Sequence, residues 1–271
     1  MKEMTLQELK DFSLKILCDV HDFCDRNEIV YSLAGGSLIG AVRHHGFIPW
    51  DDDVDIVMPR PDYERFMKTY KSNNGYVAIS RASGDKTTQI AFGRVCDMKD
   101  TLVKTKLPWC SRKTGVWIDV FPLDGASDDK DAVEKKVNEI IPLLKRSFKQ
   151  RSARRNPFEC RGFWGFIKNI VRFSYLLMGD MIGQVDKMAK QIPYGSTDHY
   201  FSYSFLRYGM KEYHRLACFE KTIPASFEGH DLKMMIGYDE VLREQYGDYM
   251  QLPPVEQQKP KQTSYMRCFW K

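Results

Sequence analysis

An acidic cluster stands immediately before an apolar run in the stretch GFIPWDDDVDIVMPR, residues 46–60. The cluster contains four aspartates within five positions, namely Asp51, Asp52, Asp53 and Asp55. Because side chains alternate between the two faces of an extended strand, Asp51, Asp53 and Asp55 are expected to share one face while the apolar residues enter the core. A fold that contains this strand must therefore hold several like charges together at its edge.

Such a cluster needs a partner of opposite charge. Carboxylates a few ångströms apart do not all ionise unless protons or a cation neutralise them, and clustered oxygen ligands suit a hard ion such as Mg²⁺. Asp119, which is isolated within the apolar stretch GVWIDVFPLDG, offers a further carboxylate from a different strand. The pattern indicates a metal site, and the alternative is an acidic surface loop that binds no ion.

A glycine-rich segment, LAGGSLIGAVR, precedes the acidic cluster at residues 33–43. The run EIVYSLAGG is predicted as a short buried strand that ends in Gly35 and Gly36, and a short helix from about Ser37 to His44 follows. Backbone N–H groups at such a turn can cradle a phosphate. A phosphate cradle followed by a carboxylate strand favours a site for a metal ion and a phosphorylated ligand.

The first half of the chain is predicted as a compact core of residues 1–126, a small mixed sheet with helices packed against it. Residues 5–26 should form an amphipathic helix, because Thr5 and Glu8 have capping-box spacing and apolar residues recur at the helical period. A second helix is predicted from Pro61 to about Tyr70. Strands are predicted in DVDIVMP, YVAIS, QIAFGRVCD and GVWIDVFPLDG, the last of them bounded by Gly115 and Pro122.

The second half, residues 127–271, is predicted as a mainly helical extension packed on the core. Helices are expected in DAVEKKVNEIIPLLKRSFKQ, with a kink near Pro142, and in FWGFIKNIVRFSYLLMGDMIGQVDKMAK. The fold class predicted for the whole chain is therefore α+β.

Length and composition limit the other classes. The chain has 271 residues, of which 43% are hydrophobic, enough for a buried core. The first residues lack the apolar run of a signal peptide, and the longest uncharged run, residues 29–42, is shorter than the roughly 20 residues of a spanning helix. The seven cysteines contain no CxxC pair, which argues against a disulfide framework or a zinc finger. We therefore expect a cytoplasmic protein with reduced thiols.

The positive charge is concentrated in one segment. The chain has a net charge of +5, yet residues 145–172 alone carry +8, from Lys145, Arg146, Lys149, Arg151, Arg154, Arg155, Arg161, Lys168 and Arg172 against Glu159. Aromatic residues alternate with these cations, which fits peripheral contact with an anionic membrane surface on the inner face of the plasma membrane. The alternative is an ordinary solvated face. No RNA-binding motif accompanies the charge, so no nucleic acid partner is expected.

These motifs together resemble the nucleotidyltransferase superfamily, in which a glycine-serine turn precedes a two-carboxylate strand and a third carboxylate follows on a later strand. More narrowly, LAGGSLIGAVRHHGFIPWDDDVDIVMPRPDYERF resembles the LicD family, which is similar to the fukutin family. The later stretches GVWIDVFPLDG, FEGHD and YGDYMQLPP lie where that family's later motifs fall. The resemblance implies a nucleotidyltransferase-like core.

The resemblance also implies an activity. A LicD-like enzyme transfers phosphocholine, or a related phospho-alcohol, from CDP-choline or another CDP-alcohol to a hydroxyl of a glycan or lipid-linked glycan acceptor at the cell surface, and CMP is released. Mg²⁺, or alternatively Mn²⁺, would be held by Asp53, Asp55 and Asp119, and Asp51 would either bind the ion as a further ligand or support this set. Asp53, Asp55 and Asp119 are then the catalytic carboxylates, with Asp119 as the candidate general base. No cysteine or histidine stands out as a nucleophile, which favours direct in-line attack.

Several residues are candidates for binding the donor, and each has a structural alternative. Gly35, Gly36 and Ser37 would contact the donor phosphates. Arg43 would pair with phosphate or lie solvated on its helix. Trp50 would stack on cytosine or pack beside Pro49. The last candidate is Arg94, which would meet the substrate or remain an edge-strand charge.

Two other functions fit the same residues. A nucleotidyltransferase that attaches NMP to a small molecule would direct attack to the α phosphorus and release pyrophosphate. A non-catalytic module that binds glycan or acidic lipid would use the basic segment, but the presence of Asp53, Asp55 and Asp119 counts against it.

Overall fold

The computed structural model describes residues 1–106, 109–155, 162–260 and 266–271. The helices are α1 Leu6–Arg26, α2 Gly35–His44, α3 Arg60–Thr69, α4 Lys130–Arg155, α5 Gly162–Leu177, α6 Met181–Ala189 and α7 Tyr238–Tyr246. The strands are β1 Ser32–Leu33, β2 Asp55–Pro59, β3 Tyr76–Ile79, β4 Gly93–Asp97, β5 Thr101–Thr105, β6 Trp117–Ala126, β7 His199–Phe201, β8 Tyr213–Arg215, β9 Thr222–Phe227, β10 His230–Met235 and β11 Met266–Trp270. This mixture confirms the α+β class.

The central sheet has the strand order β1-β2-β6-β4-β3. β2 and β6 pair in parallel, whereas β1 with β2, β6 with β4 and β4 with β3 pair antiparallel. β6 is the longest strand, and its last three residues also pair with β7, which in turn pairs with β8. Two further antiparallel pairs, the β9–β10 hairpin and the long-range pair of β5 with β11, lie outside this sheet. The first and second halves of the chain therefore meet along β6.

The predicted first helix is confirmed together with its cap. The Glu8 N–H donates to Thr5 Oγ1 at 3.1 Å, and the Thr5 N–H donates to Glu8 Oε2 at 2.8 Å, so two N–H groups of the helix end are satisfied reciprocally. The inner face of α1 is buried through Leu9, Phe12, Ile16, Leu17, Val20 and Phe23. The helix prediction for Pro61 to Tyr70 is also confirmed as α3, one residue earlier at each end.

Two predicted boundaries near the site were wrong. Gly35 and Gly36 do not end a strand, because β1 ends at Leu33 and the two glycines form the first turn of α2. Pro122 does not end β6, which continues to Ala126. The proline is tolerated because β6 changes its antiparallel neighbour there, from β4 up to Val120 to β7 from Asp124.

The second half contains both predicted and unpredicted elements. Helices dominate its regular structure, as expected, but the second predicted helix is divided into α5 and α6, and Asp180 caps the N-terminus of α6 through the Gly183 N–H at 2.9 Å. Strands β7 to β11 were not predicted. The division of the chain at residue 126 into two domains stays a prediction.

Two other properties bear on the expectations from composition. The six described cysteines are free thiols, and Cys160 lies outside the described residues. Within the described ranges, no helix combines the length and the apolar character that crossing a bilayer requires.

A buried ion pair ties helices α3 and α6 to β6. Arg60 Nε donates to Asp124 Oδ1 at 2.6 Å and Arg60 Nη2 donates to Asp124 Oδ2 at 2.9 Å, while Arg60 Nη1 reaches Asp186 Oδ1 at 3.0 Å. Both Arg60 and Asp124 are buried. Bidentate geometry with an additional carboxylate satisfies most of the guanidinium donors, so removing one partner leaves an uncompensated buried charge.

We therefore expect Arg60→Ala to lower the free energy of unfolding by about 3–5 kcal/mol. Urea unfolding followed by circular dichroism measures the change. Arg215→Ala is the matched control, because the Arg215–Glu240 pair is exposed and should change stability by less than about 1 kcal/mol. Similar losses in the two variants would contradict the role of burial.

Candidate functional site

A cleft of about 790 Å³ lies between the acidic cluster and the second half of the chain. Its wall from the first half includes Gly35, Gly36, Arg43, Trp50, Asp51, Asp53 and Asp55. Its wall from the second half includes Tyr200, Arg207, Tyr208, Glu212, His214, Gln245 and Tyr246. The predicted phosphate turn and three of the predicted metal ligands thus share one cavity.

The aspartates reach this cavity by a different route from the one predicted. β2 begins only at Asp55, so Asp51 and Asp53 precede the strand and the alternation argument does not apply to them. Asp51, Asp53 and Asp55 nevertheless all line the cleft, whereas Asp52 is only 3% exposed. Asp51, Asp52 and Asp53 can each offer one carboxylate oxygen within 4.8 Å of the others. The sequence analysis did not include Asp52 among the candidate ligands.

Asp55, Asp119 and Arg94 form a row across three neighbouring strands. Asp55 is in register with Asp119 on the parallel strand β6, and Asp119 is in register with Arg94 on β4. Arg94 Nε donates to Asp119 Oδ1 at 2.5 Å, and both side chains are buried. Asp119 therefore lies beside Asp55 in the sheet, but it is not part of the cleft wall.

Arg94 was predicted to contact the substrate, but in the structure it contacts Asp119 and two tryptophan rings. The guanidinium carbon of Arg94 lies 4.2 Å from the ring centroid of Trp117 and 4.6 Å from that of Trp109. These aromatic faces stabilise the cation where water is excluded. The observed role of Arg94 is to hold Asp119, and a contact with substrate stays a prediction.

The carboxylates in this region repel one another. Burial raises the pKa of Asp55 well above its ordinary value, and the charges of Asp53, Asp119 and Asp51 raise it further. Burial also raises the pKa of Asp119, which the Arg94 charge opposes. A group of closely spaced oxygen donors whose charges destabilise one another has the chemistry that a hard divalent cation relieves.

The N-terminus of α2 faces this cluster. Gly35 has a φ of +53°, which favours glycine, and a Cβ built on Gly36 would lie 2.2 Å from Asp51 Oδ2. Within the described structure no side chain caps the first turn of α2. Ser37 is oriented differently from the prediction, because its Oγ accepts a hydrogen bond from the Asp55 N–H at 3.0 Å and so joins α2 to β2. The glycines thus bring a helix N-terminus, with its positive dipole end, close to the aspartates.

Arg43 connects the other end of α2 to the segment that follows α7. Its Nη1 donates to the carbonyl oxygens of Tyr249 and Gln251, and its Nε donates to His44 Nε2 at 2.9 Å. Burial and the Arg43 charge both lower the pKa of His44. Trp50 packs edge-on against His44 with ring centroids 6.5 Å apart. Arg43 and Trp50 lie on the cleft wall as expected, and their contacts with a donor stay predictions.

The stretch FEGHD is hydrogen-bonded to the loop that leads into the acidic cluster. It forms the turn between β9 and β10, with positive φ at Glu228 and Gly229. The Glu228 N–H donates to the His45 carbonyl oxygen at 2.8 Å, and the Phe47 N–H donates to Glu228 Oε1 at 2.9 Å. This motif therefore fixes the loop that leads into the acidic cluster.

Sequence reasoning missed most of the cleft wall from the second half. Tyr246 begins the stretch YGDYMQLPP, so the family resemblance carried a signal for it. Its hydroxyl receives a hydrogen bond from the Tyr208 hydroxyl at 2.9 Å. Glu212 and His214 are buried and lie on a short 3₁₀ turn and on β8, where no motif marks them.

Glu212 should make stability depend on pH. Burial raises its pKa from an ordinary value of 4.5 to about 8, so the folded chain holds this proton more tightly than the unfolded chain. Such a group stabilises the fold fully below its unfolded pKa, and the contribution is lost as pH rises through the folded pKa. Glu212→Gln has no proton to lose, so its stability should not fall in this way. The free energy of unfolding of the variant relative to that of the wild type should therefore be about 3 kcal/mol higher at pH 8 than at pH 5.

Thermal unfolding at the two pH values measures this difference. Glu256→Gln, on an exposed turn, is the control and should follow the wild type. If Glu212→Gln also parallels the wild type at both pH values, the buried carboxyl does not have the assigned proton affinity.

Comparison with known proteins identifies a relative over nearly the whole chain and others over shorter segments. The family model described as LicD/FKTN/FKRP, nucleotidyltransferase domain, matches residues 28–154. The lipopolysaccharide cholinephosphotransferase LicD of Haemophilus influenzae is 33% identical over 96% of this chain and 97% of its own length. Two uncharacterized proteins, RT0683 of Rickettsia typhi and RP689 of Rickettsia prowazekii, are 39% and 40% identical over 25% and 23% of the chain, and 22% and 24% of their own lengths.

These matches include the elements that build the cleft. The segment matched by the family model contains the glycine turn, the acidic cluster and Asp119, and the full-length relative also spans the second-half wall. The chain is a LicD-like transferase and belongs to the LicD family.

Proposed function

We propose that this enzyme transfers phosphocholine, or a related phospho-alcohol, from a CDP-activated donor to a hydroxyl of a cell-surface glycan or glycolipid precursor. The acceptor hydroxyl oxygen attacks the β phosphorus, the bond between that phosphorus and the bridging oxygen breaks, and CMP leaves with the bridging oxygen. The observation that supports this most is a single cleft in which three aspartates stand beside the glycine-rich start of a helix.

The donor set fits a divalent metal. Asp51, Asp53 and Asp55 line the cleft, and the mutual repulsion of these carboxylates disfavours the cluster without a cation. Mg²⁺, or alternatively Mn²⁺, would be held by these residues and by Asp119. When bound, the ion supplies charge neutralisation for the diphosphate and for the CMP that leaves.

The chain's own groups have separable tasks in this reaction. The N–H groups of Gly35 and Gly36 would bind donor phosphate oxygens at the positive end of α2. Trp50 would stack on the cytosine ring. Asp119 remains the candidate proton acceptor by family resemblance, and because Arg94 binds its Oδ1, the acceptor hydroxyl proton would pass to Oδ2.

The acceptor side of the proposal includes a membrane contact. Helix α5 exposes a wide apolar face, made by Trp164, Phe166, Ile167, Ile170, Val171, Phe173 and Leu177. Lys145, Arg146 and Lys149 are exposed on the neighbouring helix α4. Apolar side chains beside cations fit adsorption to an anionic bilayer, where a lipid-linked acceptor resides. Phe158, Glu159 and Arg161 of the predicted basic segment lie outside the described residues.

The carboxylate assignment predicts the effect of Asp53→Asn. With Mg²⁺, CDP-choline and a membrane glycolipid extract, the variant should release CMP at least about 100-fold more slowly than the wild type. The reason is that the neutral amide lacks the negative charge with which the carboxylate holds the cation. Asp22→Asn, on the exposed face of α1, is the matched control and should retain wild-type turnover.

Two results would contradict this reading. If Asp53→Asn releases CMP as fast as the wild type, the Asp53 carboxylate is not a ligand of the metal. Pyrophosphate release from CTP, without acceptor-dependent CMP release from any CDP-alcohol, would instead place the reaction at the α phosphorus.

The membrane contact predicts that a Phe166→Ser, Phe173→Ser double variant binds anionic vesicles about tenfold more weakly, since each phenyl ring contributes buried apolar area. Co-sedimentation with phosphatidylglycerol vesicles measures binding, and phosphatidylcholine vesicles test the part played by charge. Val255→Ser is the control, because Val255 is 75% exposed but lies on another surface element. Equal vesicle binding by all three proteins, or a self-association that only the double variant loses, would refute the membrane assignment.

A further inference from the structure

A buried carboxyl group, that of Glu212, lines the cleft. Glu212 is 8% exposed, and Gln245 Nε2 donates to its Oε2 at 3.0 Å. Among the residues that the structure describes, no lysine or arginine forms an ion pair with Glu212. A buried acid in this situation is stabilised only when it keeps its proton or when a ligand brings a positive charge.

The neighbouring histidine does not supply that charge. His214 directs its Nδ1 to Glu244 Oε2 at 2.6 Å, and its Nε2 lies 3.4 Å from Gln245 Nε2. Burial lowers the pKa of His214, which favours the neutral ring. Among the described contacts of Glu212 there is therefore no positive charge, and a cationic ligand would supply one.

Aromatic rings surround the approach to Glu212. The rings of Tyr208 and Tyr246 have centroids 5.0 Å apart at an interplanar angle of 62°, and both line the cleft. Burial is the main cause that raises the pKa of Tyr208, Tyr246 and Tyr200, and the Glu212 charge adds to it, so Glu212 is within electrostatic range of all three hydroxyls. Tyrosine faces and a carboxylate are the groups that bind quaternary ammonium ions, which offer no N–H donor.

The same two tyrosines also connect this end of the cleft to the phosphate end. Asp55 raises the pKa of Tyr208 and Tyr246, as Glu212 does. A Cβ built on Gly35 would lie 3.5 Å from the Tyr246 hydroxyl and 3.4 Å from Asp55 Oδ2. Tyr208 and Tyr246 are therefore within electrostatic range of both Asp55 and Glu212.

We propose that Glu212, Tyr208 and Tyr246 form the subsite for the trimethylammonium group of a choline-bearing donor, and that they select it over neutral alcohols. This inference rests on the proposed function, because it takes the phosphate end of the donor to lie at the acidic cluster. The short ethylene link of phosphocholine then runs past the tyrosine pair. Gln245 keeps its hydrogen bond to Glu212, which a trimethylammonium group cannot replace.

Donor binding by Glu212→Gln tests the subsite. Isothermal titration with CDP-choline and CDP-glycerol in the presence of Mg²⁺ compares two donors that differ in the charge of the alcohol. The wild type should prefer CDP-choline, and the variant should bind CDP-choline about tenfold more weakly while its affinity for CDP-glycerol changes less than about twofold. Glu240→Gln, on the outer face of α7 and paired with Arg215, is the matched control and should retain the preference.

Tyr246 provides a second pair of variants. Tyr246→Phe keeps the ring and should retain the preference for CDP-choline, whereas Tyr246→Leu removes the ring and should reduce it. A purely structural role of the tyrosine would affect both donors in both variants.

The outcomes separate this inference from the function on which it rests. If Glu212→Gln weakens both donors equally or neither, the subsite is wrong, although wild-type transfer from CDP-choline would still uphold the proposed function. If the wild type binds neither CDP-alcohol and transfers from neither, the proposed function fails and the subsite fails with it.

Discussion

The parallel pairing of β2 with β6 is the constraint on which the site depends. It places Asp55 beside Asp119 and, through the next strand, Asp119 beside Arg94. Side chains alternate along a strand, so a shift of β6 by one residue would turn Asp119 to the opposite face and leave Arg94 without its carboxylate. Because Arg94 is buried, that shift would leave a buried cation without its ion-pair partner. Register and charge pairing therefore specify the same arrangement.

Local sequence signals predicted the elements that depend on neighbouring residues. The Thr5–Glu8 capping box predicted α1, and the turn residues around Pro59 and Pro61 predicted the end of β2 and the start of α3. Predictions failed where a distant partner decides the structure. Pro122 remains in β6 because β7, about 80 residues further along the chain, takes over the pairing there. Gly35 belongs to α2 because the Ala34 N–H and the Ser37 hydroxyl both bond the Asp55 backbone.

The same limit applies to the site: the parts made by contiguous motifs were predictable from the sequence, and the parts made by long-range packing were not. The acidic cluster and the glycine turn are contiguous motifs, and the structure brings them to one cleft. The opposite wall comes from short elements from residue 199 onward, and the packing of β9, β10 and α7 against β1 and α2 is a long-range result of folding. Glu212 illustrates this limit, since an isolated glutamate in the sequence YGMKEYHR carries no sign that folding will bury it. Its significance comes from its surroundings, and those appear only in three dimensions.

The charge pattern of the cleft argues for a donor with separated charges. The aspartates and Glu212 line the same cleft, together with Tyr208 and Tyr246, whose hydroxyls are hydrogen-bonded to each other. A cation held by the aspartates reverses the sign at one end and makes it attractive to phosphate. At Glu212, burial favours the protonated carboxyl, so a cationic head group would stabilise the carboxylate there, whereas a neutral or anionic head group would not. Under the proposed function, phosphocholine, negative at the phosphate and positive at the ammonium, would complement both groups, and the choice of alcohol would be made by residues that are distant in sequence from the acidic cluster.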